Sequence, residues 1–282
     1  MKFKRNILSV VFIIAAIISI CIIIKIFAER KQNQEETSRL QQIAYSEETT
    51  KDSNTSVKEN NSTNKNSLDE NSSSLSNTYD VNQFLNQKVD IDLLQYTNAD
   101  IFAWIKIPGT DIDYPIVQHP IDDEYYLKHG ADGSKSSYGC PYIELCDSTS
   151  LDDFNTVIYG HNMNDGSMFA GLHKFEDKDF YDEHRQIFIY TIDHVYTYEI
   201  FAAVMYSDDY IPYCYDDTVA SQRIEFLESL RTNIVADHSI VSNDISVNED
   251  SNIITLSTCD KVYRDNRYLV VAVRTQIDGN DI

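Results

Sequence analysis

The chain has 282 residues and a formal net charge of −22, from 45 acidic and 23 basic side chains. That balance argues strongly against a nucleic-acid partner, since phosphate binding needs clustered Lys and Arg. With 19 tyrosines against one tryptophan, the composition favours a β-rich domain carrying polar-tipped aromatics at groove edges.

Residues 1–6 hold Lys2, Lys4 and Arg5, and Ile7–Ile24 then runs without a charge. Taken through Ala28 the segment is about 33 Å long at ~1.5 Å per residue, enough to cross a bilayer core of roughly 30 Å. The run is too long for a typical cleaved signal peptide and has no clear small-x-small site. We therefore expect an uncleaved transmembrane signal-anchor (7–28), and the very short tail before it (1–6) is expected on the cytoplasmic side. Lys25, Arg30 and Lys31 nearly match the positive N-terminus, so charge alone does not orient the span.

Residues 29–79 are dominated by Gln, Glu, Ser, Asn and Lys, a composition that buries too little surface to offset backbone entropy. The expectation is a disordered polar linker with a weak helical start over Glu35–Ala44. As a flexible coil, about 50 residues would reach roughly 40 Å. Residues 80–282 are then one domain of ordinary size, able to bury a core.

Within that domain, Val81–Tyr96 has helical spacings and predicts one or two short helices. Asp100–Gln118 alternates as strands around a turn at Pro108-Gly109. Tyr125, Tyr126 and Leu127 read as a helix face turned to the core, and Cys140–Cys146 (CPYIELC) as a strand. Asn155–Gly160 is a short buried strand. The aspartates after it match no EF-hand loop and are explained by turns, so no metal or cofactor is expected. Ile187–Ser207 reads as two strands about an Asp193-His194 turn. A long excursion over Asp208–Asp244 contains a helix, Asp217–Ile234, with Ile224, Leu227 and Leu230 on one face and Phe226 at its edge.

The five cysteines make no disulfide framework. Cys21 lies in the apolar segment. Cys140, Cys146 and Cys214 read as free and partly buried, although a Cys140–Cys146 bridge is conceivable; a zinc site would lack a second pair of ligands.

Chemistry concentrates in Ile253–Val273, IITLSTCDKVYRDNRYLVVAV. One apolar run ends at Cys259 and a second begins after Arg267, the pattern of a hairpin whose ends share one sheet edge. A free thiol titrates near ~8.5 and attacks as the thiolate; a guanidinium is a permanent cation with a planar fork of donors for an oxyanion. The proton carrier such a pair needs is offered by TVIYGHNM, where His161 again follows an apolar run and a glycine. Arg264 in the same loop is a rival cation, but Arg267 abuts the strand.

TLSTC with an arginine eight residues on, YGHNM, and the upstream WIKIPGTDIDYPIVQ together resemble class B sortases, the membrane-anchored cysteine transpeptidases of Gram-positive bacteria. The resemblance runs from about Asn82 to Arg274. It implies a mainly β fold: a closed eight-stranded barrel with N-terminal helices and a helix-bearing insertion before the cysteine strand, walling one side of a groove. It also implies Cys259 as nucleophile, His161 as proton carrier and Arg267 as oxyanion donor, acting on the sorting-motif peptide of exported proteins and a lipid-linked peptidoglycan precursor amine. The domain would lie outside the cell membrane, held by its single N-terminal span. Leu127, Ser257 and Asp260 match positions near the bound peptide, though the family often has glutamate where Asp260 stands.

Other readings are weaker. A papain-like enzyme would place cysteine before histidine. L,D-transpeptidases keep the order histidine, cysteine, arginine but bring the arginine much closer to the cysteine. A non-catalytic surface-binding module would leave the cysteine buried and inert.

Overall fold

A computed structural model describes residues 2–46, 81–235, 238–262 and 265–282; most of the expected linker and the rival Arg264 lie outside these. Strands Ile101–Lys106 (β1), Asp113–Val117 (β2), Asn155–Tyr159 (β3), Gln186–Tyr190 (β4), Val195–Ser207 (β5), Ile253–Cys259 (β7) and Asn266–Ile277 (β8) form one sheet, ordered β2-β1-β4-β5-β8-β7-β3. The two-residue strands Ile240–Val241 (β6) and Asn280–Asp281 (β9) add to β5 and β8. Every pairing is antiparallel except that of β3 with β7.

The sheet is buried on both faces. On β8, Leu269, Val271 and Val273 join a cluster with Phe201, Phe226 and Leu230, while Tyr268, Val270 and Ala272 join another with Ile254, Leu256 and Phe169. Burial on both sides explains why this strand reads as an unbroken apolar run.

The fold is a curled half-barrel, not the closed eight-stranded barrel expected. The eighth strand should come from Cys140–Cys146, but only Tyr142 pairs, bridging Val117 of β2 and Tyr159 of β3. Pro141 has no N–H to extend that ladder. On the other side of the bridge, Val157 N–H donates to the Asp147 carboxylate at 2.9 Å rather than to a strand partner. Single-residue bridges thus span the gap that a strand would have closed.

The helices are short apart from the first. Val81–Leu85 (α2) and Ile91–Gln95 (α3) match the expectation for Val81–Tyr96; Lys178–Glu183 (α4) and Ile211–Cys214 (α5) follow, and Ala220–Thr232 (α6) is the helix of the insertion. Its inward face differs from the one expected. Phe226 and Leu230 are buried, whereas Ile224 is 39 % exposed. The sheet face under the helix is filled by the large Phe226 ring, which turns Ile224 outward.

The first helix, Lys2–Ala44 (α1), is continuous from the apolar segment well into the expected coil. Its apolar side chains from Val11 to Phe27 are exposed, while Leu40 and Ala44 are buried in the domain. Between them the helix docks through polar side chains. Glu29 accepts from Ser137 at 2.9 Å, Arg30 pairs with Asp165 at 3.4 Å and Arg39 with Asp132 at 3.1 Å. The approach is close: a Cβ on Gly130 would lie 2.4 Å from the Glu36 carboxylate. Burial, and then the Asp132 charge, push the Glu36 carboxyl up. Glu29, Asn33, Glu36, Leu40 and Ala44 recur every three to four residues, so a composition typical of disorder hides one docking face.

Asp113 fixes the end of that helix to the sheet. Its carboxylate accepts from Tyr45 Oη at 2.5 Å, Trp104 Nε1 at 2.7 Å and Lys106 Nζ at 2.7 Å. Trp104 is fully buried, so removing the acceptor strands its N–H.

Asp113→Ala is expected to destabilise the fold by about 3 kcal/mol, since it orphans several donors and a partly buried cation at once; urea denaturation measures it. A loss under half of that would show that the three donors find water instead. Asp147 gives a pH test. Burial, the main cause, pushes its carboxyl up to about 8 from an ordinary 3.8. The folded state then holds a proton that the unfolded chain releases, so this contribution is complete below about pH 4 and is lost as pH rises through about 8. Relative to Asp147→Asn, the native protein should lose up to about 1.4 kcal/mol of stability per pH unit inside that window. A pH-independent difference between the two proteins would refute it.

Candidate active site

The parallel pairing of β3 with β7 aligns Tyr159 with Ser257, and Gly160 N–H adds a bond to Ser257 O at 3.1 Å. Each strand runs on two residues in the same direction, so His161 and Cys259 leave the sheet at the same edge. Across the β7–β8 hairpin, Cys259 stands opposite Arg267. Three neighbouring strands therefore deliver imidazole, thiol and guanidinium to one cleft of about 230 Å³, whose lining includes all three.

His161 Nε2 lies 2.8 Å from the carbonyl oxygen of Leu127. A carbonyl only accepts, so Nε2 carries the hydrogen and Nδ1 is left for proton exchange. Among the described residues, neither Nδ1 nor the Cys259 thiol hydrogen-bonds another protein atom. Gly139 makes the Leu127 contact possible: its φ is +63°, and a Cβ there would meet Tyr126 O at 2.5 Å and the His161 ring at 3.0 Å.

Of the expected peptide-binding positions, Leu127 and Ser257 line the cleft. Asp260 is not among the residues lining the cleft, and its carboxylate accepts from Val262 N–H at 2.7 Å. Ser207–Ile211, at the start of the insertion, also line the cleft, and Tyr210 Oη donates to the Glu144 carboxylate. Sequence reading missed Asn162, whose side-chain N–H donates to Cys259 O at 2.8 Å. Only its place beside His161 could have drawn notice.

All five cysteines are free, so the conceivable Cys140–Cys146 bridge is not formed. Cys140 is buried and its thiol is pushed up by desolvation; the same cause raises Cys214 and takes Cys146 to about 12. Cys259 is exposed in the cleft. A hollow of about 1050 Å³ beside α2 and α3 is larger, but no thiol lines it.

Comparison with known proteins agrees with this geometry. A family model described as a sortase domain matches residues 105–275. Sortase B of Listeria monocytogenes is 37% identical over 179 residues, covering 63% of this chain and 70% of its own. The chain belongs to the class B sortases. The X-ray structure of Clostridium perfringens sortase B superposes with a TM-score of 0.58 at 27% identity, over 66% of the sortase chain and 99% of its own. A Staphylococcus aureus sortase B–substrate complex does so with 0.57 at 26% identity, over 65% and 83%. The sortase is thus a cysteine transpeptidase of cell-wall anchoring, and an N-terminal apolar helix, the one such helix among the described residues, fits a membrane anchor.

In the full-length sortase in detergent, iodoacetamide at neutral pH should label Cys259 ahead of Cys146 and Cys214 and leave Cys140 untouched until the protein unfolds. Peptide mapping reads the order. Labelling of Cys140 in the folded protein at a comparable rate would contradict the burial described.

Proposed function

We propose that Cys259, His161 and Arg267 carry the sortase reaction on a C-terminal sorting motif. The observation that carries this reading is the strand register that places all three on one cleft. The Cys259 thiolate attacks the carbonyl carbon of the motif threonine, and negative charge gathers on its oxygen. Arg267, half-buried at the start of β8, donates to that oxyanion. His161 gives a proton from Nδ1 to the departing amine as the C–N bond breaks, leaving a thioacyl-enzyme. An amine of a lipid-linked peptidoglycan precursor then attacks the thioester carbonyl. His161 takes its proton, the C–S bond breaks and the thiolate returns. Because water competes throughout, productive transfer depends on the cleft excluding it. Leu127 and Ser257 line the peptide's path, and Asp260 contributes through its loop.

The domain sits outside the membrane with residues 1–6 in the cytoplasm. If the span ends at Ala28, then Arg30 is two residues, about 3 Å of helix, beyond it. Arg30 is paired with Asp165 in the loop that carries His161. The site would thus face the bilayer surface, where a lipid-linked amine is found.

Arg267→Ala should lower turnover of a sorting peptide about 100-fold or more with the fold intact, the usual loss for one oxyanion donor. Cys259→Ala should abolish it, and His161→Ala should also slow alkylation of Cys259. Mass spectrometry of the protein incubated with candidate motifs would trap the thioacyl adduct. Near-normal turnover in Arg267→Ala, or an adduct on another cysteine, would overturn the assignment.

A further inference from the structure

The β3–β7 ladder ends at Tyr159 and Ser257, two residues short of the chemistry. Two side chains continue it. Thr258 Oγ1 donates to Gly160 O at 2.7 Å, and Asn162 Nδ2 donates to Cys259 O at 2.8 Å. The second bond joins the residue after His161 to the backbone of Cys259 itself. Since a carbonyl oxygen only accepts, the Asn162 atom facing it must be nitrogen. The same Nδ2 lies 2.8 Å from His173 Nε2, which therefore accepts, and His173 Nδ1 in turn meets Glu176 Oε1 at 2.5 Å. Glu176 so selects the tautomer with hydrogen on Nδ1, leaving the lone pair on Nε2 for Asn162. Stacking on Tyr268, with ring centroids 4.9 Å apart, holds the imidazole in place. In this tautomer His173 has no hydrogen for Cys259 O, 3.3 Å away, so Asn162 is the donor there. Asn162 Oδ1 is buried and makes no hydrogen bond, so the amide is held by its two N–H groups.

We propose that Asn162 is a positioning residue for the sortase reaction, oriented by His173 and Glu176, which locks the His161 loop to the Cys259 backbone and so sets the thiol–imidazole spacing. This rests on the catalytic roles given to Cys259 and His161 above. The need for such a lock is physical: the thiol and imidazole share no hydrogen bond, and a misplacement of about 1 Å can cost about 100-fold in rate. The β3–β7 ladder stops at Ser257, so no backbone pairing of these two strands holds them to each other.

The test uses the full chain, a sorting peptide and an amine acceptor. Asn162→Ala should lower kcat about 10- to 100-fold with KM within about 2-fold, and slow iodoacetamide labelling of Cys259 near neutral pH. Asn162→Asp preserves shape but replaces both donors with acceptors, and should lose at least as much with Tm little changed. His173→Ala should lose less, and the double variant Asn162→Ala/His173→Ala no more than Asn162→Ala alone, because His173 acts through Asn162. Native kcat in Asn162→Asp while Cys259→Ala and His161→Ala are inactive would overturn the lock and leave the catalytic assignment standing. Full activity of Cys259→Ala or His161→Ala would remove the assignment itself. Fully additive losses in the double variant would overturn the relay through His173.

Discussion

The parallel pairing of β3 with β7 is the constraint on which the site depends. Residues 161 and 259 are 98 apart in sequence, and nothing local brings them together. Parallel strands paired in register end side by side, so a histidine and a cysteine placed two residues past the last pair are neighbours whatever the loops do. An antiparallel pairing of the same strands would have sent them to opposite edges. The β7–β8 hairpin adds Arg267 by a purely local route. One long-range pairing and one short-range turn therefore make the cleft.

The orientation of the groups is inherited from backbone carbonyls. Leu127 O fixes the His161 ring, Gly160 O is held by Thr258, and Cys259 O by Asn162. Gly160 O and Cys259 O sit at the ends of β3 and β7 with a hydrogen-bonded ladder behind them, whereas Leu127 O belongs to a helical turn over Tyr125–Leu127. Hydrogen bonds to them tie His161, Thr258 and Asn162 to the backbone around the cleft. The same economy appears in Asp113, where one carboxylate joins α1, β1 and β2.

What could be read from the chain were features with local signatures. The apolar runs ending at His161 and Cys259, the hairpin to Arg267, the turn at Asp193-His194 and the long apolar N-terminal segment all announce themselves within a few residues. The docking of α1 did not, because apart from Leu40 and Ala44 it is made by polar contacts of Glu29, Arg30, Glu36 and Arg39, charged residues that find partners only in the folded domain. The inward face of α6 was misjudged because Ile224, Phe226 and Leu230 cannot all face one groove, and packing volume favoured the ring. Asn162 left no trace beyond adjacency to His161, since its partners are 11 and 97 residues away.

The opening in the sheet and the position of the site are linked. Antiparallel pairing through Tyr142 and Tyr159, continued by two residues, would set Cys140 opposite His161. Instead Cys140 N–H donates to Tyr126 O at 3.0 Å, and Gly139 lies against the His161 ring. With Pro141 unable to donate, the chain is diverted to buttress the segment carrying Leu127, whose carbonyl then receives His161 Nε2. A complete eighth strand would have claimed the backbone beside His161 and removed that support. The half-open sheet is thus the form in which the histidine is held from the Leu127 side while its other nitrogen bonds no other described residue, and the missing ladder lies where chemistry needs an unpaired edge.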